Sequence, residues 1–216
     1  MKFQQTALNL AMIMALGAGV TACGGGGGDN NGGNNVAPSS QTVTLTFQAE
    51  DAQGKALANR MACVDVNRDN KCGSEDIIAP VSDNGKVVLK VELQGENASA
   101  SGVAVTEAEL ENAIIVVHGD SKPYTRRLDG PIKDYDNKNF GYVNPLTTLV
   151  TQYSLDNNAS YAQAKRDVQN KIGATPEQMN ASLGDSKALS SFVYAVEKSG
   201  ELNNAFDSSK YSNAIK

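Results

Sequence analysis

The sequence predicts an α+β fold, an antiparallel β-sandwich followed by a small helical unit. Three observations carry that expectation. Short period-2 runs rich in β-branched residues recur between Gln41 and Leu128. Turn residues separate them at roughly even spacing. Apolar residues at helical spacing, set between capping residues, dominate only after Asn144.

The first strand alternates Val43, Leu45 and Phe47 with Thr42, Thr44, Thr46 and Gln48. Gln53-Gly54-Lys55 reads as a turn, and Met61 to Val66 as a second strand running into a polar loop. Ile77-Ile78-Ala79-Pro80-Val81 is a third strand. Asp83-Asn84-Gly85 is a strong turn signal before a fourth, Val87 to Leu93. Ala113 to Val117 and Tyr124 to Leu128 complete the set. Before them, Thr106 with Glu109 fits a capping box and predicts a brief helix crossing between sheets. Asp134, Asp136 and Asn137 form an Asx cluster, read as a turn between the two units. Arg126 and Arg127 are read as solvated strand charges.

Asn144 followed by Pro145 is an N-cap with proline at the first helical position, and predicts a helix to about Tyr153. Ser160 to Ile172 places Tyr161, Ala164, Val168 and Ile172 on one face, and Gly173 stops it. Thr175-Pro176-Glu177-Gln178 is a further cap signature. Lys187 to Lys198 buries Leu189, Phe192, Val193 and Val196, and Gly200 ends it. Amphipathic faces of this kind belong to a core more often than to a docking site.

The N-terminus reads as an address. Lys2 precedes an apolar or small run from Ala7 to Val20, about 14 residues long, which is too short for the roughly 20 a spanning helix needs. Val20-Thr21-Ala22-Cys23 then resembles a bacterial lipobox, with Cys23 as the lipidated residue; the competing reading is an ordinary secretory peptide. Acyl chains on Cys23 would hold the chain to a membrane, each buried CH₂ contributing about 0.8 kcal/mol. Gly24 follows in place of an aspartate that resembles an inner-membrane retention signal, which favours the bacterial outer membrane. The resulting organisation is signal peptide 1–22, acylated cysteine and Gly/Asn-rich tether 23–41, sandwich 42–135, helical unit 144–206 and frayed tail 207–216. As a Gly-rich coil of about 18 residues the tether reaches roughly 23 Å.

The formal charge of −5 becomes −6 when Lys2 leaves with the first 22 residues. That balance argues against nucleic acid and against a polybasic lipid-binding surface. Aromatics make up 6% of the chain and Trp is absent, so stacking platforms for sugars or bases are thin.

The chemistry sits in Asp65-Val66-Asn67-Arg68-Asp69-Asn70-Lys71-Cys72-Gly73-Ser74-Glu75-Asp76. Oxygen side chains fall at loop positions 1, 3 and 5 (Asp65, Asn67, Asp69) and a carboxylate at position 12 (Asp76), the spacing that wraps a short loop around Ca²⁺. Lys71 would supply its backbone carbonyl, and Glu75 competes with Asp76 as a ligand. Asn70 stands where glycine is usual and tolerates the left-handed conformation that turn needs. The Asn at position 6 and the short Asp at position 12 predict a weak site; the competing reading is an Asx-rich loop without metal. Cys63 and Cys72 bracket the loop. In an oxidising compartment they are expected to form a structural disulfide, and their spacing is not that of a C-x-x-C redox pair.

Cys63-Val64-Asp65-Val66-Asn67-Arg68-Asp69-Asn70-Lys71-Cys72 with Glu75-Asp76, and the later Pro145-Leu146-Thr147-Thr148-Leu149-Val150, resemble segments of certain bacterial envelope lipoproteins. Their N-terminal module is similar to carboxypeptidase-regulatory-like or immunoglobulin-like sandwiches. The resemblance spans about residues 50 to 175 and implies architecture rather than activity.

His118, the single histidine, has only Asp120 and Ser121 close by in sequence, and no G-x-S-x-G, S-x-x-K or H-E-x-x-H occurs. The expected function is therefore a lipid-anchored, non-enzymatic envelope protein presenting a calcium-braced sandwich for binding or adhesion to an envelope or surface protein. The alternatives are an accessory subunit of a secretion or attachment machine, or a hydrolase whose site lies between the two units.

Overall fold

The structure, a computed structural model, describes residues 41–94, 105–119, 122–203 and 214–215. The signal-type segment, Cys23 and the tether up to residue 40 lie outside the described residues, as do Asp120, Ser121 and most of the tail.

Two sheets form, seven strands in all among the described residues. The first places β4 (Lys86–Leu93), β1 (Gln41–Ala49) and β7 (Lys138–Val143) side by side in that order. The second orders β3 (Ile77–Pro80), β2 (Met61–Asp65), β5 (Ile114–His118) and β6 (Pro123–Arg127), antiparallel throughout. The alternation in β1 decides its register. Val43, Leu45 and Phe47 are wholly buried and pair with Val91, Leu89 and Val87 of β4, the same alternation on the neighbouring strand. A one-residue slip would turn both apolar rows to water.

β7 is not among the expected strands, and residues 134–137, expected as a turn between the two units, do turn there and also seat it. β7 runs parallel to β1. Its own sequence, Lys-Asn-Phe-Gly-Tyr-Val, has little alternation and an internal glycine. Tertiary bonds seat it instead: Thr44 N–H donates to Asp136 Oδ1 at 2.8 Å, and Asn137 N–H to the Thr44 carbonyl at 2.9 Å. Phe140 then stacks on Phe47, ring centroids 5.2 Å apart.

The helices follow their caps. α1 (Glu107–Leu110) carries the full Thr106–Glu109 capping box. α2 (Pro145–Asp156) starts at Asn144, α3 (Tyr161–Ile172) at Ser160 and ends at left-handed Gly173, and α4 (Lys187–Ser199) runs from Ser186 to left-handed Gly200. Thr175 and Gln178 exchange the bonds of a capping box, yet the chain only turns there, toward the 3₁₀ turn Leu183–Asp185. Helices and sheets share one core: Phe47, Leu89, Ile115 and Tyr124 from the strands meet Leu149, Val168, Ile172, Leu189 and Val196.

α2 lies along the open edge of β6, and its threonines replace the strand that is missing there. Thr125 N–H donates to Thr148 Oγ1 at 2.8 Å and Arg127 N–H to Thr151 Oγ1 at 3.0 Å, while Thr147 Oγ1 donates to the Thr125 carbonyl at 2.9 Å. A sheet edge buried without such partners would strand backbone donors and acceptors.

Candidate functional site

Residues 66–76 connect β2 to β3, so the two ends of the candidate loop are held by paired strands. Asp65 closes β2 and is 1% exposed; Asp76 precedes β3 and is 6% exposed. The Asp65 carboxylate accepts the backbone N–H of Asp69 (3.2 Å) and Asn70 (2.9 Å), and Asp76 accepts those of Val66 (2.9 Å) and Gly73 (2.7 Å). The loop therefore wraps around two buried carboxylates. Burial, with the charge of Asp76 adding to it, holds the Asp65 carboxyl above its ordinary value near 3.8 against those backbone bonds.

The remaining expected ligands are placed differently. Asn67 Oδ1 accepts Asp69 N–H at 3.0 Å and its Nδ2 donates to Glu75 Oε1 at 2.9 Å. Asp69 Oδ1 accepts Lys71 N–H at 2.8 Å, and Ser74 Oγ donates to Glu75 Oε2 at 3.1 Å. Asn67, Asp69 and Glu75 are exposed and engaged in local turns. The Lys71 carbonyl lies 3.5 Å from Cys63 Sγ. Among the described residues no three Asp, Glu, His or Cys side chains converge to hold a metal. Asp65 and Asp76 are the pair brought together inside the loop, and each oxygen keeps a second lone pair for a hard cation. Asn70 is left-handed, φ 59°, as its place in the loop requires; Arg68, φ 62°, is a second left-handed residue that no sequence signal announced.

Cys63 and Cys72 form a disulfide, Cα atoms 5.6 Å apart. It has a packing role as well as a topological one. Cys63, Ile114 and Val116 face away from the main core on the outer side of the second sheet, and Cys72 packs over them. The loop thereby covers apolar surface that alternation forces outward.

Three groups escaped sequence reasoning. Glu50, 4% exposed, accepts from Asn144 Nδ2 (2.9 Å), Ser182 Oγ (2.6 Å) and Leu183 N–H (2.8 Å), tying β1 to the start of α2 and to the 3₁₀ turn. Its only sequence trace is a carboxylate placed directly after an apolar strand. Arg126 and Arg127, expected as solvated charges, are instead half-buried, because α2 and α3 close over β6. Arg127 Nη1 donates to Ser154 Oγ and the Ala159 carbonyl, and Arg126 Nη1 to the Tyr142 carbonyl at 3.0 Å. His118 ends β5 half-buried opposite Pro123.

Beside the loop, a cavity of about 240 Å³ is lined by Asp65, Arg68, Val105 and Glu109 among others. No described helix is long and apolar enough to cross a membrane. Compared with protein-family models, curated proteins and solved structures, the chain matches none.

Proposed function

We propose that this protein is a lipid-anchored, non-enzymatic component of the bacterial envelope, a relative of the lipoproteins its motifs resemble. In this reading Cys23 carries the acyl chains, the outer membrane is the anchoring surface, and the tether stands the folded unit off it. The disulfide-closed loop and the outer face of the second sheet are the surface presented to an envelope or surface protein.

The observation that carries the reading is the pair of buried carboxylates, Asp65 and Asp76, enclosed by a loop whose Cys63–Cys72 bridge ties it back to β2. Two anions so placed raise each other's free energy, and a divalent cation removes that cost. Ca²⁺ would be held by Asp65 and Asp76, with Asn67, Asp69, Glu75 and the Lys71 carbonyl within the same loop. Its role would be to rigidify the loop, with no bond made or broken. Next to it, Met61 (42% exposed) and Ile78 (39%) stand on the outer face of neighbouring strands, the apolar part of the presented surface.

Thermal unfolding with millimolar Ca²⁺ and with chelator tests the loop. We expect a shift of several degrees that disappears in Asp65→Ala. An equal melting temperature in both buffers removes calcium from the reading. Labelling with a palmitate analogue tests the anchor: incorporation lost in Cys23→Ser supports it, and no incorporation in the unaltered chain refutes it.

A further inference from the structure

A second polar centre, remote from the loop in sequence and unused by the function proposed above, lies where β6, β7 and α3 meet. The Arg126 guanidinium is stacked between two rings, 4.9 Å from the Phe140 centroid and 5.4 Å from that of Tyr161. Nη1 is satisfied by the Tyr142 carbonyl, and Nε is wholly buried with no acceptor among the described residues. From α3, Lys165 reaches the same place and donates to Asn180 Oδ1 at 2.5 Å. Arg126 and Lys165 line one cavity of about 30 Å³ together with Asn144, Thr147, Tyr161 and Asn180, and none of its lining residues is Asp or Glu.

We propose that this cavity binds a small monovalent anion of chloride size between Arg126 and Lys165. The polar groups around it leave that role open. Asn144 Nδ2 is committed to Glu50, and the one Thr147 hydroxyl hydrogen to the Thr125 or the Asn144 carbonyl. Glu50 is a nearby carboxylate, but it sits behind Asn144 and spends its oxygens on Asn144, Ser182 and Leu183. Two cations thus share a poorly solvated space without a counter-ion in its wall. A water molecule would leave their repulsion in place; an anion removes it. The volume holds about two waters or one halide and excludes phosphate-sized oxyanions.

Lys165 also sets a pH dependence. Burial first, and then the charge of Arg126, lower its ammonium from 10.5 to about 8. From α3 it faces Tyr161, and from β7 it faces Tyr142; both phenols are pushed above their usual value by burial and stay neutral over this range. The anion favours the charged ammonium. Affinity is therefore full below about pH 8 and falls about tenfold per unit well above it.

Chloride-35 NMR of the full chain, titrated in a gluconate buffer, is the test. Chloride should show excess line broadening at pH 7 that bromide displaces, that weakens about tenfold by pH 9, and that is lost in Lys165→Met. A crystal soaked in bromide should show an anomalous peak in the cavity between Arg126 and Lys165. Equal broadening in a folded Lys165→Met chain overturns the proposal. So does an ordered water without anomalous signal at that position, and this second result decides alone if the variant does not fold.

Discussion

Thr148→Val isolates the use of a helix as a surrogate strand. The substitution keeps shape and β-branching and removes one hydroxyl. That hydroxyl accepts Thr125 N–H at 2.8 Å and donates to the Asn144 carbonyl at 2.9 Å. The Asn144 carbonyl keeps the Thr148 N–H as a donor, so its loss is small. Thr125 is different. Its amide is buried, with Thr125 6% and Thr148 2% exposed. A stranded buried amide costs about 1–3 kcal/mol, so we expect a loss of about 2 kcal/mol. For a unit of this size that lowers the melting temperature by about 4–8 °C. Urea unfolding should give a lower midpoint at unchanged slope, and Thr125 should exchange its amide hydrogen faster than its β6 neighbours. Thr151→Val is the internal comparison. It strands Arg127 N–H in a half-buried place that water can reach, so its cost should stay below about 1 kcal/mol. A Thr148→Val chain within about 0.5 kcal/mol of the parent, or unchanged exchange at Thr125, would refute the edge-capping role.

The Cys63–Cys72 bridge spans nine positions, and closing a loop of about 10 residues constrains the unfolded chain by about 2.7 kcal/mol; the double Ala variant should lose at least that much in urea unfolding, and a loss below about 1 kcal/mol would contradict it. Glu50→Gln withdraws a charged acceptor from three donors and should cost about 1.5–3 kcal/mol by the same assay, whereas an unchanged midpoint would show that Ser182 and Leu183 find other partners. The calcium-dependent shift in melting temperature should fade as the solution is acidified. Calcium competes with protons for Asp65, whose folded-state pKa lies above 3.8, so the fading sets in at a higher pH than an ordinary aspartate would give. In chelator the sign reverses. The raised pKa means the fold binds the Asp65 proton more tightly than the unfolded chain, so that group's contribution is lost as pH rises through the raised value. A calcium shift constant down to pH 4 would separate calcium from Asp65.

Local chemistry explains what could be read directly from the chain. The alternation of β1 and β4, the Thr106–Glu109 box, the Asn144-Pro145 start and the glycine stops at 173 and 200 each depend on residues within a turn or two of one another. The disulfide was legible for the same reason, since Cys63 and Cys72 bracket a short loop. The candidate site was legible in its residues and only partly in its arrangement. Spacing nominated Asp65, Asn67, Asp69, Lys71, Glu75 and Asp76, but burial brings just Asp65 and Asp76 inside, because only those two sit where β2 and β3 pin the chain.

What tertiary structure decided is every feature whose partners are far apart in sequence. β7 has weak strand character of its own and exists because Thr44, 92 residues from Asp136, supplies its first bonds. Gly54 permits φ 77° at its turn, but the close approach of the Gly184 backbone, where an added Cβ would lie 2.1 Å from the amide nitrogen, follows from the packed fold. Arg126, Arg127 and Lys165 look like surface charges in one dimension. They become half-buried, and Lys165 comes to face the like charge of Arg126, only when α2 and α3 close over β6, because burial and the nearness of charges are properties of the assembled layers and not of any local run of residues.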